Sequence, residues 1–275
     1  MSNWRDQVVL ITGAGSGIGK ALSLALAKRG ARVTVTDVDG ASAERVAAQC
    51  GTGARAAKLD VRDAAAVERE VGACVDAGGR LDVMVNNAGM GVGGETYELE
   101  VAHFERVLDV NVRGVVHGVM AAYPRMVKRG SGRIVNVASL AGLGPAPFLT
   151  AYSMSKHAVV GLSTSLRVEG AGLGVRVNVL CPAAVETPLL DADNPADLPR
   201  PAWRPDLRAF LTKLAGPPYP VDRLADDALA ELERDRGIIV LPGRARTLWR
   251  LGRVAPWLVE KGSLDAVAEV RKRRG

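Results

Sequence analysis

The sequence predicts an α/β fold: a doubly wound parallel sheet with helices on both faces, in a single domain over residues 1–275. Three observations carry this. Short apolar runs rich in β-branched residues alternate with stretches that suit helices, without an obvious linker as far as residue 182. The first run passes through four glycines, Gly13, Gly15, Gly17 and Gly19, directly into a helix-compatible segment. Polar residues stand at or just past the ends of successive runs, where open parallel sheets bind their ligands.

The elements follow in chain order. Gln-Val-Val-Leu-Ile-Thr predicts a strand over 7–12, and Ala21 to Lys28 a helix without breakers. Arg-Val-Thr-Val-Thr-Asp carries the second strand, near 31–36, to its end at Asp37. A third, 54–59, runs into Asp60-Val61, and a fourth, 81–85, into Asn86-Asn87-Ala88-Gly89. The fifth, 132–138, delivers Ser139, and a helix spans Thr150 to about Gly170. The sixth, 175–181, leads to Pro182, and Gly237 to Leu241 completes the sheet. Short turns between alternating strands and helices imply parallel neighbours with helices on both faces.

The glycine turn carries chemistry. Glycine allows a tight turn and a close approach of the backbone to a pyrophosphate, and the following helix offers free N–H groups and a positive dipole end. A plain connecting loop would not need four glycines in seven residues, each of which weakens local structure. The spacing, Gly13-x-x-x-Gly17-x-Gly19, is not the usual Gly-x-Gly-x-x-Gly.

Tyr152 and Lys156 lie four residues apart in Ala-Tyr-Ser-Met-Ser-Lys, thirteen residues after Ser139. On a helix this spacing puts phenol and ammonium on one face. A free tyrosine titrates near about 10. A cation a few ångströms away favours the phenolate, so the hydroxyl can exchange a proton with an alcohol or ketone near neutral pH. Ser139, from another segment, can donate to the same substrate oxygen. Alone, the pair reads equally as a surface tyrosine beside a snorkelling lysine. The glycine turn at the other end of the chain gives it weight.

With Thr12 ahead of its glycines, Asp60, the Asn86 to Gly89 segment, Asn111 in Asp-Val-Asn-Val, then Ser139, Tyr152, Lys156, Pro182 and Val185-Glu186-Thr187-Pro188, the chain resembles the short-chain dehydrogenase/reductase family over roughly residues 5 to 190. The resemblance implies an NAD(P)-dependent oxidoreductase acting on CH–OH groups. It implies catalysis by Asn111, Ser139, Tyr152 and Lys156. Cofactor contacts would come from Gly13, Ser16, Gly17, Ile18, Gly19, Asp37, Asp60, Val61, Asn87, Tyr152, Lys156, Pro182, Val185 and Thr187. Asp60 would hold the adenine amino group, Val61 would contribute backbone, and Thr187 would bind the nicotinamide amide. The Asn86 to Gly89 segment would pack against the cofactor, and Asn111 would hold a water linking Lys156 to solvent. In that scheme Tyr152 takes the alcohol proton as hydride leaves, Lys156 lowers the tyrosine pKa, and Ser139 stabilises the oxyanion. One departure is Ala183, where the family usually has glycine after the proline.

Asp37 selects NAD over NADP. A carboxylate there accepts hydrogen bonds from the adenosine ribose hydroxyls and repels a 2′-phosphate. Val38 follows it and Ser16 occupies the glycine turn, so neither position supplies a basic partner for a phosphate. The alternative is a turn-forming aspartate before Asp39-Gly40.

Composition narrows the remainder. Cys50, Cys74 and Cys181 are sparse, odd in number and without metal spacing, which points to small buried fillers in a reducing compartment. No secretory leader pattern and no membrane-length apolar stretch are visible, so a cytoplasmic location is expected. His103, His117 and His157 share no metal spacing and read as surface or partly buried residues; no metal is expected. The substrate walls are expected from residues 90–94, from 140–149 with Leu140, Leu143, Pro145, Pro147, Phe148 and Leu149, and from Leu189, Leu190, Trp203, Phe210 and Leu211. No basic cluster adjoins Ser139, which favours a bulky apolar alcohol or ketone: steroid-, terpenoid-, retinoid-, fatty- or aryl-like. Residues 182 to 220 carry nine prolines, and 183–220 is read as a lid over this pocket rather than a loose connector.

The segment 242–275 is the least family-like. From Leu241 onward there are nine basic and three acidic residues, while the remaining chain has 27 of each. The whole net charge of +6 therefore resides in the tail, and the basic balance is no evidence for nucleic-acid binding by the core. Leu248, Leu251, Val254 and Leu258 approach helical spacing, with Trp249, Trp257 and several arginines between, and Pro256 should kink or end the helix. Packing over the sheet or the pocket is the favoured role; weak contact with a membrane interface is the alternative. A homodimer or homotetramer is expected through the helices bearing Asn111 and Tyr152, since Val159, Val160, Leu162 and Leu166 exceed what one core face needs. Two alternatives are a non-catalytic dinucleotide sensor and a membrane-peripheral carbonyl reductase using NADP. The retention of Ser139, Tyr152, Lys156 and Asn111 argues against the sensor.

Overall fold

Alternation along the first strand shows how the sheet is built. In the computed structural model, which describes residues 4–272 and 274, β1 is Val8–Ile11. Val9 and Ile11 point into one apolar cluster and Val8 and Leu10 into another, as a period of two requires of a strand covered on both sides. The other strands are β2 (Arg32–Asp37), β3 (Arg55–Lys58), β4 (Val83–Asn86), β5 (Gly132–Val137), β6 (Val175–Pro182) and β7 (Ile238–Leu241). They form one parallel sheet in the order β3-β2-β1-β4-β5-β6-β7. The predicted strands all occur, with ends moved by one or two residues.

Helices α1 (Gly17–Lys28), α2 (Gly40–Cys50) and α8 (Val221–Glu233) cover one face through Leu22, Leu26, Val46, Leu224 and Leu229. Helices α3 (Ala64–Gly78), α5 (Gly114–Arg129) and α6 (Thr150–Ala171) cover the other through Val71, Val119, Val159 and Leu166. Each such fully buried side chain contributes about 1.5–3 kcal/mol relative to exposure. Between β4 and α5 lie α4 (Val101–Leu108) and a single π-helical turn, Asp109–Arg113.

The chain order reverses direction between β1 and β4, and a crevice opens beyond the carboxyl ends of those strands. Short helix α7 (Leu207–Ala215) precedes α8, and two helices, α9 (Gly243–Val254) and α10 (Pro256–Lys272), follow β7. The predicted break at Pro256 is real: the proline starts α10. Among the described residues no helix is long and apolar enough to cross a membrane.

Candidate active site

The crevice is a cavity of about 920 Å³ that runs from Gly13, Ser16 and Asp37 at one end past Ser139 and Tyr152 to Trp249 at the other. Its first wall is the glycine turn. Gly13 has φ of 61°, and a Cβ on it would lie 2.6 Å from the Ala88 backbone. Glycine is therefore required twice over, by conformation and by space. Asn87 holds the turn from behind: its Nδ2 donates to the carbonyls of Thr12 (2.9 Å) and Gly13 (2.8 Å). Helices α2, α3 and α7 are capped by Asp39, Asp63 and Asp206, but Ser16 makes no side-chain cap at α1. The first amides of α1, at Gly17, Ile18 and Gly19, thus keep their anion-binding capacity, and Gly17 and Ile18 line the cavity.

Asp37 closes this end. Its Oδ2 accepts from the Gly15 amide at 2.9 Å and its Oδ1 from the Asp39 amide at 3.0 Å. The carboxylate is fixed, with lone pairs left for hydroxyl donors. Asp60 sits two residues beyond β3 and is gripped by Arg62, which holds its carboxyl below the usual carboxylate range. Val61 is buried against Gly114, where a Cβ would approach Val61 Cγ2 to 2.6 Å, and its carbonyl meets His117 Nδ1 at 2.8 Å. Across the crevice Thr187 stands over Gly17, with Pro182 ending β6 and Val185 bridging to Tyr219.

The reactive end is assembled from β5, the turn after it, and α6. Ser139 accepts from the Ala141 amide at 3.1 Å and so caps the turn Leu140–Gly142. That turn is locked on α6, because Ser153 Oγ donates to the Ala141 carbonyl at 2.7 Å and a Cβ on Gly142 would strike the Lys156 backbone. Lys156 is 3% exposed; its Nζ donates to the Val137 carbonyl at 2.9 Å and lies 5.5 Å from the Tyr152 ring centre. Burial pulls the ammonium down to about 8.

Here the electrostatics differ from the expectation that Lys156 brings Tyr152 towards neutrality. Burial pushes the phenol up, and Ser139 only partly offsets it. The ring is half-exposed to the cavity, so water there moderates the effect, but the direction is upward and the phenol stays protonated at neutral pH.

Asn111 occupies the π turn rather than a regular helix. Such single-turn insertions re-aim a side chain. Three bonds hold its amide: Oδ1 accepts from the Met90 amide at 2.8 Å, and Nδ2 donates to the Met90 carbonyl and Ser155 Oγ at 2.9 and 3.0 Å. Gly89 lies between Asn111 and Lys156, its absent Cβ position 3.3 Å from Lys156 Nζ and 3.4 Å from Asn111 Oδ1. Asn111 therefore fixes the loop after β4 against the lysine.

The walls depart from expectation in one respect. Met90, Leu143, Pro145, Leu149, Leu190 and Leu211 line the cavity. Pro147 does not, and neither do Phe148, Trp203 and Phe210. Those three form an aromatic cluster behind the wall, with edge-to-face contacts at 5.8 and 5.1 Å. They hold Phe148 at φ of 63°, a conformation costing a bulky residue about 1–2 kcal/mol. The proline-rich segment is pinned across the cavity: Asn194 makes both amide bonds to the Gly93 backbone, and His103 Nε2 meets the Pro199 carbonyl at 2.8 Å. His103 is thus fully buried, deeper than the surface or partly buried place its sequence context suggested.

The tail's apolar face closes the pocket, in keeping with the packing role expected of it: Leu248, Trp249 and Val259 line the far end. The amphipathic spacing of α9 was the signal for it. Arg271 ties α10 to the buried Glu95 at 2.7 Å, and Arg274 pairs with Glu98 and lies over the Trp203 ring. Cys181, a buried thiol pushed up to about 12 by burial, packs behind Lys156 as an uncharged filler. Among the described residues no group of three His, Cys, Asp or Glu side chains is arranged to hold a metal.

Known proteins resemble this chain in sequence and fold. A family model described as short chain dehydrogenase matches residues 7–197. The chain is 37% identical over 230 residues to the oxidoreductase UcpA of Salmonella typhimurium, covering 82% of this chain and 85% of that protein. A short-chain dehydrogenase/reductase from Burkholderia phymatum, solved in complex with NAD, superposes with a TM-score of 0.83 at 31% identity, covering 94% of this chain and 96% of the other. A 3-ketoacyl-(acyl-carrier-protein) reductase from Brucella melitensis, complexed with NADH, gives a TM-score of 0.77 at 34% identity, covering 88% of this chain and 100% of the other.

Proposed function

The chain belongs to the short-chain dehydrogenase family, and from that premise we propose that it transfers a hydride between NAD and a bulky apolar secondary alcohol or its ketone. The observation that carries this reading is the single cavity joining Asp37 and the uncapped end of α1 to Ser139 and Tyr152, and continuing between apolar walls to the tail.

The residues fit an adenine dinucleotide. The glycine turn brings the chain to the cavity at Gly13, Ser16 and Gly17, and the uncapped α1 amides suit a pyrophosphate. Asp37 would accept the ribose hydroxyls, and Arg62, which also lines the cavity, is already engaged by Asp60. Thr187, Val185 and Pro182 would flank the nicotinamide half, which when bound supplies or accepts the hydride. Tyr152 holds the proton that a ketone oxygen gains, or receives the one an alcohol gives up. Ser139 donates to that oxygen as charge develops on it. Lys156 keeps a positive charge beside the phenol, and Asn111 keeps the surrounding loop in place. The segment 183–220 acts as lid, and the location expected for such an enzyme is cytoplasmic.

The test is a panel of cyclic, aryl and long-chain secondary alcohols offered with NAD or NADP, followed by nicotinamide absorbance. Turnover with NAD is expected on apolar alcohols, with kcat/KM at least about tenfold above that with NADP, since a repelled phosphate need be worth only about 1.4 kcal/mol. Asp37→Ala with Val38→Arg should move the preference towards NADP. Equal use of both cofactors by the wild type, or turnover confined to sugars and hydroxy acids, counts against this reading.

The same reading includes a homodimer or homotetramer through α5 and α6. Val159, Val160, Leu162 and Leu166 all pack on the sheet cluster, contrary to the surplus expected of them, but other positions of α5 and α6 leave Met120 63% and Val168 79% exposed, with Val116 and Met154 also exposed. Light scattering should report a dimer or larger at micromolar concentration; a monomer removes this part of the proposal.

A further inference from the structure

The corner between α9 and α10 is the most apolar exposed feature of the tail. Leu251, Val254, Trp257 and Leu258 are 41%, 79%, 63% and 49% exposed within eight residues, while Ala255 at the bend is buried and anchors the corner. The opposite side of both helices is committed to the protein. Trp249 packs on the sheet cluster, and Ala266, Val267 and Val270 pack on the aromatic cluster behind the cavity wall. The corner therefore projects as a rigid wedge.

Its charges are sorted in a telling way. Arg244 is spent on the Pro217 carbonyl, Arg246 on Glu231, Arg271 on Glu95 and Arg274 on Glu98. Among the described residues Arg250, Arg253 and Lys261 have no acidic partner, although Arg253 lies 5.8 Å over the Trp249 ring. Arg250 stands one turn behind Val254 on α9, and Lys261 one turn behind Trp257 on α10. One turn is about 5.4 Å along a helix. Arg250 and Lys261 thus stand roughly that far behind the apolar tip, and the Arg253 guanidinium is turned back over Trp249. An interfacial segment needs this spacing: apolar side chains sink about 5–10 Å below the headgroups while basic ones remain among them. Leu251 and Leu258 also line the substrate cavity, so the cavity mouth opens beside the wedge.

We propose that the α9–α10 corner docks on an anionic lipid surface and sets the cavity mouth against it, so that apolar substrates enter from the bilayer. The purpose of docking rests on the apolar-substrate reading above; the docking itself does not. A second copy of the chain would bury the apolar tip but would bring Arg250, Arg253 and Lys261 against their own kind, which anionic headgroups instead neutralise.

The full chain is floated with vesicles of phosphatidylcholine alone or with added phosphatidylserine, at low and high salt. Binding is expected only with phosphatidylserine, and weaker at high salt. Arg250→Gln with Arg253→Gln should weaken binding roughly thirtyfold, and Val254→Ser with Trp257→Ser should remove it. None of these four residues lines the cavity, so each variant should oxidise a water-soluble alcohol such as cyclohexanol at the wild-type rate, which verifies its fold. No flotation at low salt overturns the proposal, as does wild-type binding by either double variant. If Trp257→Ser lowers the oligomeric state and vesicles are ignored, the corner is a contact between copies instead. Cyclohexanol turnover without flotation removes docking alone. Flotation without turnover of any alcohol leaves docking standing and removes the oxidoreductase reading.

Discussion

Tyr152→Phe is expected to lower kcat by about 10²–10⁴, the range of a positioned acid or base, while leaving dinucleotide binding close to wild type. The substitution removes one hydroxyl from a half-buried ring and disturbs neither the glycine turn nor Asp37. The pH dependence follows from the direction in which burial moves the phenol. With its pKa raised, the protonated form prevails at neutral pH. Ketone reduction, which uses that form, should hold steady near neutrality and fall as the medium becomes alkaline. Alcohol oxidation, which uses the deprotonated form, should climb over the same range. Lys156, pulled down to about 8, begins to lose its charge there, so its support for the phenolate fades as the oxidation rate rises. Stopped-flow or steady-state profiles in both directions test this. Oxidation fastest in acid, or more than a few per cent of wild-type kcat in the Phe variant, would remove Tyr152 from its role.

The second large effect is structural. Gly118→Ala in α5 should destabilise the protein by about 3 kcal/mol, although glycine-to-alanine changes in helices usually help by about 1 kcal/mol. The decisive quantity is a distance: a Cβ on Gly118 would lie 1.9 Å from Asn86 Oδ1. Asn86 cannot withdraw, because its Nδ2 donates to Asn136 Oδ1 at 2.8 Å and Asn136 in turn donates to Ser163 at 2.9 Å, all fully buried. Asn86 Oδ1 has no conventional partner, and the Cα–H of Gly118 faces it. The substitution would exchange that weak contact for a clash at the floor of the crevice. Thermal melts should show Tm lower by on the order of 10 °C. Gly72→Ala on α3, where a Cβ meets nothing within 4 Å, should raise Tm instead. Equal behaviour of the two variants would mean that α5 yields at Gly118.

Asn86 also illustrates which features a linear reading captures. The sequence marked it as the polar end of a strand, correctly, because strand ends are local: an apolar run stops and a polar residue follows. The same locality made the seven strands, the helix bearing Tyr152 and Lys156, the open helix end after the glycines and the carboxylate ending the second strand legible. Each depends on neighbours within a few residues, through a period of 2.0 or 3.6 or through a turn.

Tertiary structure decided whatever depends on partners far away in sequence. The direction of the Tyr152 pKa was misjudged from spacing alone, because a four-residue interval reveals a charge but not how much water the fold removes from around it. Phe148, Trp203 and Phe210 looked like cavity walls because all are large and apolar, yet only the packing of a loop, the proline-rich segment and α10 puts them behind the wall. His103 reads in the sequence as surface or partly buried, and only Pro199, 96 positions away, gives its ring a partner in a fully buried place. The tail's arginines were uniform in the sequence. Only the positions of Glu95, Glu98 and Glu231 separated those that hold the tail down from Arg250 and Arg253, which face away. Local pattern thus determined the sheet and the residues at its carboxyl edge. Burial and long-range pairing, which arise only when the chain closes on itself, determined the protonation at that edge and the shape of the cavity above it.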